Sequence, residues 1–275
     1  MKISVSAVNV TMLNNGEVVD QQDLLATEEP LEIGVVYSDL DGKAAKSISV
    51  TMRTPGNDPE LALGFLYTEG IIKGMEDVLS VRHLSGNQNI ISIALSDNCT
   101  FAISKLQRHF YMSSSCGVCG KTSIASVRTK IPQHTLLNDF KVDAKTLMKL
   151  PETLRMKQIV FKHTGGLHAS ALFTQSGSLI TLREDVGRHN ALDKICGSAL
   201  QSGLMPLNEY ILLLSGRASF ELIQKAAMCG IRIVAAIGAP SGLAVEMAEA
   251  TGITLLGFLR NSRLNIYTNK HRIIT

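Results

Sequence analysis

Cys116 and Cys119 stand in the segment Ser115-Cys116-Gly117-Val118-Cys119-Gly120-Lys121, and two thiols at that spacing can do several kinds of chemistry. A glycine follows each cysteine, which lets the backbone approach a partner closely. Ser113-Ser114-Ser115 precede the pair. If Lys121 through Val127 opens a helix, the pair sits at its positive end beside a cation, and both effects favour thiolate over thiol. A thiolate of this kind can attack a sulfur donor and hold the terminal sulfur, with Cys116 as the carrier. Three other readings stay open. A tetrahedral zinc site needs four ligands, and without a second Cys pair His163 or His168 would have to complete it. A thioredoxin-like dithiol normally opens the helix of a βαβ unit, which the surrounding half does not resemble. A purely structural pair would need a core to fill, which a Gly/Ser-rich loop lacks.

A second group of polar residues falls at turns and strand ends in the carboxyl half. It comprises Thr164 to His168, Arg183 to Asn190, Ser215 to Ser219 and Gly257 to Arg263. In an open α/β sheet, ligands bind beyond the carboxyl ends of the strands. Helix starts after Ser215–Ser219 and Gly238–Ser241 would offer N–H groups to anions. Arg183, Arg217, Arg260 and Arg263 add planar forks suited to phosphate. Together these predict a pocket for a phosphate-bearing ligand. The plainer reading pairs Asp185 with Arg188 and leaves His168 and His189 as scaffold. No Walker loop, dinucleotide fingerprint or nucleophile elbow occurs.

The elements that must hold these groups divide the chain in two. The first half reads as strands: Ile3–Leu13 before an Asn14-Asn15-Gly16 turn, Leu31–Tyr37, Ser47–Arg53, and a hairpin of Val78–Leu84 and Ile90–Leu95. One helix is predicted there, capped by Asp58 with Pro59 at its first position. A helix over Val142–Leu154 follows. The second half then alternates: strands at Ile159–Phe161, Ala169–Phe173, Leu179–Leu182, Tyr210–Leu214, Ile231–Ile237 and Ile253–Phe258. Helices are predicted at Asn190–Leu200, Phe220–Cys229 and Leu243–Ala250. This alternation argues for a sheet with helices packed on it. The boundary is expected near residues 133–143, dividing a β-rich unit over 1–138 from an α/β unit over 139–275.

The chain has 275 residues, 45% of them hydrophobic, and a net charge of +3, which gives no bulk argument for nucleic acid. After Glu249 no acid occurs, while Arg260, Arg263, Lys270 and Arg272 follow. The start shows no signal-peptide core, and no run approaches the roughly 18 apolar residues of a membrane span, so a cytoplasmic protein is expected. Of the five cysteines, Cys196 and Cys229 fall in helical apolar patterns and are expected to be core thiols. Cys99 reads as a strand-edge residue.

These motifs resemble one family, the formate dehydrogenase accessory sulfurtransferases (FdhD). The resemblance rests on Glu28-Glu29-Pro30-Leu31, Met52 to Asp58, Gly64-Phe65-Leu66 with Glu69 to Ile72, Ser115 to Lys121, and Thr164-Gly165-Gly166 with His168. It continues through Arg183 to Asn190, Ser215-Gly216-Arg217, Gly238 to Ser241, and Gly257-Phe258 with Arg260 and Arg263. It implies a protein that accepts sulfur from a cysteine desulfurase and passes it to the molybdenum bis(molybdopterin guanine dinucleotide) cofactor for formate dehydrogenase. The persulfide position maps onto Cys116, and the role of Cys119 stays open. The cofactor stretch maps onto Phe258, Leu259, Arg260, Asn261, Ser262 and Arg263. Ser215, Arg217, Arg183, His168, His189 and Asp185 are expected beside it, with Asp185 accepting from a guanine edge. The cofactor is an acceptor, not a resident group, and no metal is expected. The resemblance further implies a homodimer and a cytidine-deaminase-like, three-layer carboxyl half. The deaminase zinc signature is absent, so deamination is not expected.

Overall fold

The structure is a computed structural model that describes residues 4–39, 42–99, 131 and 140–275. Cys116, Cys119 and the expected boundary at 138/139 lie outside the described residues.

The chain opens with a hairpin of β1 (Val5–Asn14) and β2 (Glu17–Ala26), turned at Asn15-Gly16, both at positive φ. A four-stranded sheet follows, in the order β4-β3-β6-β5. Its strands are β3 (Glu29–Asp39), β4 (Gly42–Arg53), β5 (Val78–Leu84) and β6 (Asn87–Leu95). Alternate side chains Leu31, Ile33, Val35, Ile91 and Ile93 point to one face and are essentially inaccessible. Helix α1 (Asp58–Thr68) packs on that face and is buried along nearly its whole length.

Asp58 does not cap α1, contrary to the sequence expectation. Asn57, at φ 57°, takes that position without a side-chain bond. The Asp58 carboxylate instead receives the Arg53 guanidinium in a two-pronged ion pair at 3.0 and 2.9 Å. Arg53 is fully buried, and an unpaired guanidinium there would cost more than a missing cap.

The carboxyl-terminal sheet has six strands in the order β13-β12-β11-β10-β8-β9. They are β8 (His168–Phe173), β9 (Leu179–Asp185), β10 (Ile211–Leu214), β11 (Ile233–Ala236), β12 (Thr254–Arg260) and β13 (Arg263–Ile266). β10, β11 and β12 run parallel, as their uninterrupted apolar runs require. Residues alternate strictly between faces. Leu212, Leu214, Val234, Ala236 and Leu255 pack under α4 (Arg188–Gln201), α5 (Phe220–Met228) and α6 (Gly242–Ala250). Ile211, Leu213, Ile233, Ala235 and Leu256 face α2 (Ala144–Lys157). The result is a three-layer α/β carboxyl half with a smaller β-rich amino part, the class expected. Two short strands, β7 (Val142–Asp143) and β14 (Ile273–Ile274), pair in parallel just before α2. Among the described residues no helix is long and apolar enough to cross a membrane.

Residues 159–164 are α-helical, not the strand their β-branched run predicts; this is α3 (Ile159–Thr164). The Glu184 carboxylate accepts from the Val160 and Phe161 N–H groups at 3.0 and 2.8 Å, and Gly165 closes the helix at φ 65°. A carboxylate at one end and a left-handed glycine at the other outweigh the weak strand propensity of three residues.

Helices α1 and α4 cross at two glycines. A Cβ on Gly64 would stand 1.8 Å from the Asp193 carbonyl oxygen, and one on Gly197 would stand 1.9 Å from that of Glu60. Beside the crossing, Lys225 reaches from α5 to both Asp193 oxygens at 2.9 and 3.0 Å and to Thr68 Oγ1 at 2.9 Å. Burial works against its charge, but the Asp193 and Glu69 carboxylates hold its pKa above the ordinary lysine value. Cys196 and Cys229 are fully buried nearby with sulfurs 2.8 Å apart, and burial pushes the Cys196 thiol well up, as a core thiol requires.

Because the obstacle at Gly64 is backbone, Gly64→Ala is expected to cost at least about 3 kcal/mol in urea unfolding. At Gly242 a Cβ meets nothing, so Gly242→Ala is expected to change stability by less than about 1 kcal/mol.

Candidate functional site

An open groove of about 870 Å³ lies beyond the carboxyl ends of β10, β11 and β12. Its sheet side is made by His168, Ser215, Gly216, Ile237 and the Leu259-Arg260-Asn261 stretch. Its outer wall is the last turn of α2, with Glu152, Arg155 and Met156, followed by the connecting Gln158, by Phe161 of α3 and by the Gly165-Gly166 turn.

Local structure explains how the sheet side is aimed. At Phe258 the backbone of β12 takes φ 51°, rare for a side-chain-bearing residue, and the pairing with β13 shifts register between Gly257 and Arg260. The Phe258 N–H is held by the Gly238 carbonyl at 3.0 Å. The kink brings Arg260 back over the end of β11, where Nη1 donates to the Ile237 and Leu259 carbonyls at 2.7 and 3.0 Å. The Nε and Nη2 donors of Arg260 have no partner among the described residues. Ser215 is pinned across the sheet, its Oγ accepting from the Ala169 N–H at 2.8 Å. His168 packs over Gly216, where a Cβ would stand 3.3 Å from its Nδ1. Burial, then the charge of Arg188, holds the His168 pKa below the ordinary histidine value, so its ring is neutral at neutral pH.

Of the residues singled out in the sequence, the groove gathers His168, Ser215, Leu259, Arg260 and Asn261. Ser262 continues as an exposed turn beside it, Arg263 is exposed at the start of β13, and Arg217 is exposed beyond Gly216. Three residues have structural occupations instead. Arg183 forks onto Glu60, with Nη2–Oε1 at 2.7 Å, and joins β9 to α1. His189 is buried, with Nε2 3.4 Å from Ser219 Oγ and 3.8 Å from Glu221 Oε2. Asp185 is wholly inaccessible. Its Oδ2 meets Lys194 Nζ at 2.7 Å and the Thr54 N–H at 3.2 Å, and its Oδ1 accepts from Gly187 N–H and Asn190 Nδ2. The expected pair of Asp185 with Arg188 gives way to Lys194, and the carboxylate holds Thr54, just past the end of β4, against α4 rather than facing the groove.

The helix starts are also occupied. Ser241 caps α6, accepting from the Ala244 N–H at 3.2 Å. In the first turn of α5, burial would raise the Glu221 pKa, but bonds from His189, its own backbone N–H and Ser219 hold it at about 2. The anion expected at that helix start is thus supplied by the chain itself.

Phe161 was missed because its segment reads as a strand, and Arg155 and Gln158 because they fall between that segment and the helix read to Leu154. The available signal was Lys162-His163 ahead of Gly165-Gly166, basic residues then glycine, which marks a helix end.

A three-layer α/β protein with a groove at the ends of its parallel strands, rimmed by a kinked Arg-bearing strand, has the layout in which open α/β sheets dock their ligands. The chain belongs to the FdhD/NarQ family, whose model matches residues 26–274. It is 48% identical over 271 residues to the sulfur carrier protein FdhD of Mycolicibacterium paratuberculosis, covering 96% of this chain and 97% of that one. It is 42% identical to the protein of that name from Sulfurisphaera tokodaii, covering 99% and 100%. A crystal structure of a provisionally assigned formate dehydrogenase accessory protein from Desulfotalea psychrophila superposes with a TM-score of 0.74 at 22% identity, over 99% of this chain and all of that one.

Two outcomes follow from the occupied residues. Asp185→Asn leaves Lys194 buried without its counter-charge and is expected to lower unfolding stability by about 3 kcal/mol. The Glu221 pKa is depressed from 4.5 to about 2, so the stability it contributes is present above pH 4.5 and lost as pH falls towards 2. Glu221→Gln is expected to flatten that acid limb in unfolding curves taken between pH 5 and 2.

Proposed function

We propose that this protein is a sulfurtransferase that takes sulfur from a cysteine desulfurase onto Cys116 and delivers it to molybdenum bis(molybdopterin guanine dinucleotide) docked in the groove. The products serve formate dehydrogenase. In the loading step the Cys116 thiolate attacks the outer sulfur of the donor's persulfide. A new S–S bond forms as the donor's breaks, and the donor thiolate leaves. The reading takes the chain as a cytoplasmic homodimer whose partners are the desulfurase and formate dehydrogenase.

The groove is the observation that carries the docking half. The acceptor bears two diphosphates and two guanines, so it needs cations at a rim and hydrogen-bonding groups within. Arg260, fixed by two carbonyls with donors to spare, supplies the first, and Arg155 stands across from it. Phe258, Leu259, Asn261, Ser262 and Arg263 form the stretch that holds Arg260 in place, with Ser215 and His168 on the floor. The relatives named sulfur carrier proteins, aligned over nearly the whole chain, support the carrier half.

Incubation with a cysteine desulfurase and cysteine is expected to add the mass of one sulfur atom to the wild-type protein and none to Cys116→Ala. Cys116→Ala is expected to abolish formate dehydrogenase maturation in cells while guanosine diphosphate still binds. Retained maturation would instead mark a non-catalytic cofactor chaperone. Arg260→Ala is expected to load sulfur normally and to weaken guanosine diphosphate binding roughly tenfold, the loss of one charge-assisted contact.

A further inference from the structure

Gln158 joins α2 to α3, and nothing described so far uses its side chain. Its backbone is fully engaged: the N–H donates to the Leu154 carbonyl at 3.1 Å, and its carbonyl accepts from the Lys162 N–H at 3.1 Å. Its side chain differs. The residue is 5% exposed and lines the groove, yet its amide has no hydrogen-bond partner among the described residues. A primary amide brings two donors and an acceptor, and on the wall of an open groove they stay available to whatever fills it. An apolar residue of the same length would fill the space at lower cost, so the amide points to a ligand.

Its surroundings indicate which end of a ligand it meets. His168 lines the same space, and its ring has no hydrogen bond among the described residues. A neutral imidazole adds one donor and one acceptor. Arg155 and Arg260 also line the groove but are exposed. The groove therefore runs from an uncharged, hydrogen-bonding interior to a rim that carries, among the described residues, two arginines and the single acid Glu152.

We propose that Gln158 is the base-reading residue of the groove, pairing its amide with the adjacent N–H and C=O of a heterocyclic lactam such as guanine. The diphosphate then lies outward, against Arg260 and Arg155. The inference rests on the reading of the groove as a guanine-nucleotide dock and adds the residue that recognises the base and the direction in which the nucleotide enters. Gln158 Oε1 accepts from guanine N1–H while Nε2 donates to O6. An acid at this position would accept from both N1–H and the 2-amino group, a pattern adenine cannot supply.

The test titrates guanosine diphosphate, adenosine diphosphate and inorganic pyrophosphate into the full chain by calorimetry, with circular dichroism to verify folding. Gln158→Leu is expected to weaken guanosine diphosphate roughly tenfold or more and to leave pyrophosphate unchanged, whereas Arg260→Ala weakens both. Gln158→Glu is expected to raise the preference for guanosine over adenosine diphosphate, a change that a merely structural glutamine would not produce. A folded Gln158→Leu protein that binds guanosine diphosphate like the wild type overturns the inference. So does an unaltered nucleotide preference in Gln158→Glu, which decides the matter if the leucine variant does not fold. A wild-type chain that binds no guanosine diphosphate overturns the dock itself; failure confined to the Gln158 variants leaves the dock standing.

Discussion

The crossing of α1 and α4 at Gly64 and Gly197 sets the distance on which the rest of the structure depends. Backbone meets backbone there, with no room for a Cβ on either side. Helix α1 belongs to the amino-terminal sheet and α4 to the carboxyl-terminal one, so the crossing draws both sheets into one continuous core. That closeness brings the charges along α4 within reach of the amino-terminal half. Lys194 can then bond the Thr54 carbonyl, Asn190 the Met52 carbonyl, and Glu60 can receive Arg183. A wider separation would leave Asp185, Lys194 and Asp193 as buried charges without full company, at a cost of several kcal/mol each.

The polar motifs of the sequence serve two different ends. Arg183, Asp185 and Asn190 fasten the halves together, and Ser215, His168 and Arg260 line the groove. Both kinds sit close to the same strand ends, so the groove lies where the two halves are braced. The kink at Phe258 is where the two meet: local strain in β12 places the Arg260 guanidinium where two carbonyls can grip it.

Period and punctuation made most of the fold legible in the sequence. The alternating residues of β3 and β6, the uninterrupted apolar runs of β10 and β11, and the Gly/Ser helix starts all lie where their patterns put them. What was not legible depends on partners distant in sequence. Ile159–Phe161 is helical because Glu184, over twenty residues on, caps it. Asp58 leaves its cap for the buried Arg53. Asp185 looked like a recognition carboxylate because its type and neighbours suit one, and only its burial against Lys194 assigns it elsewhere. Gln158 carried no local mark at all, since an unremarkable glutamine becomes informative only once its amide is seen to be unmatched.

The pairing of β14 with β7 gives the last residues of the chain an unexpected reach. Ile273 and Ile274 lie alongside Val142 and Asp143, the two residues from which α2 starts, and Ile273 shares the core beneath that helix. Since α2 is the outer wall of the groove, β14 acts as a latch on it from the far end of the helix. Loss of the β14–β7 pairing would therefore be felt along the wall of the groove as well as at the pair itself.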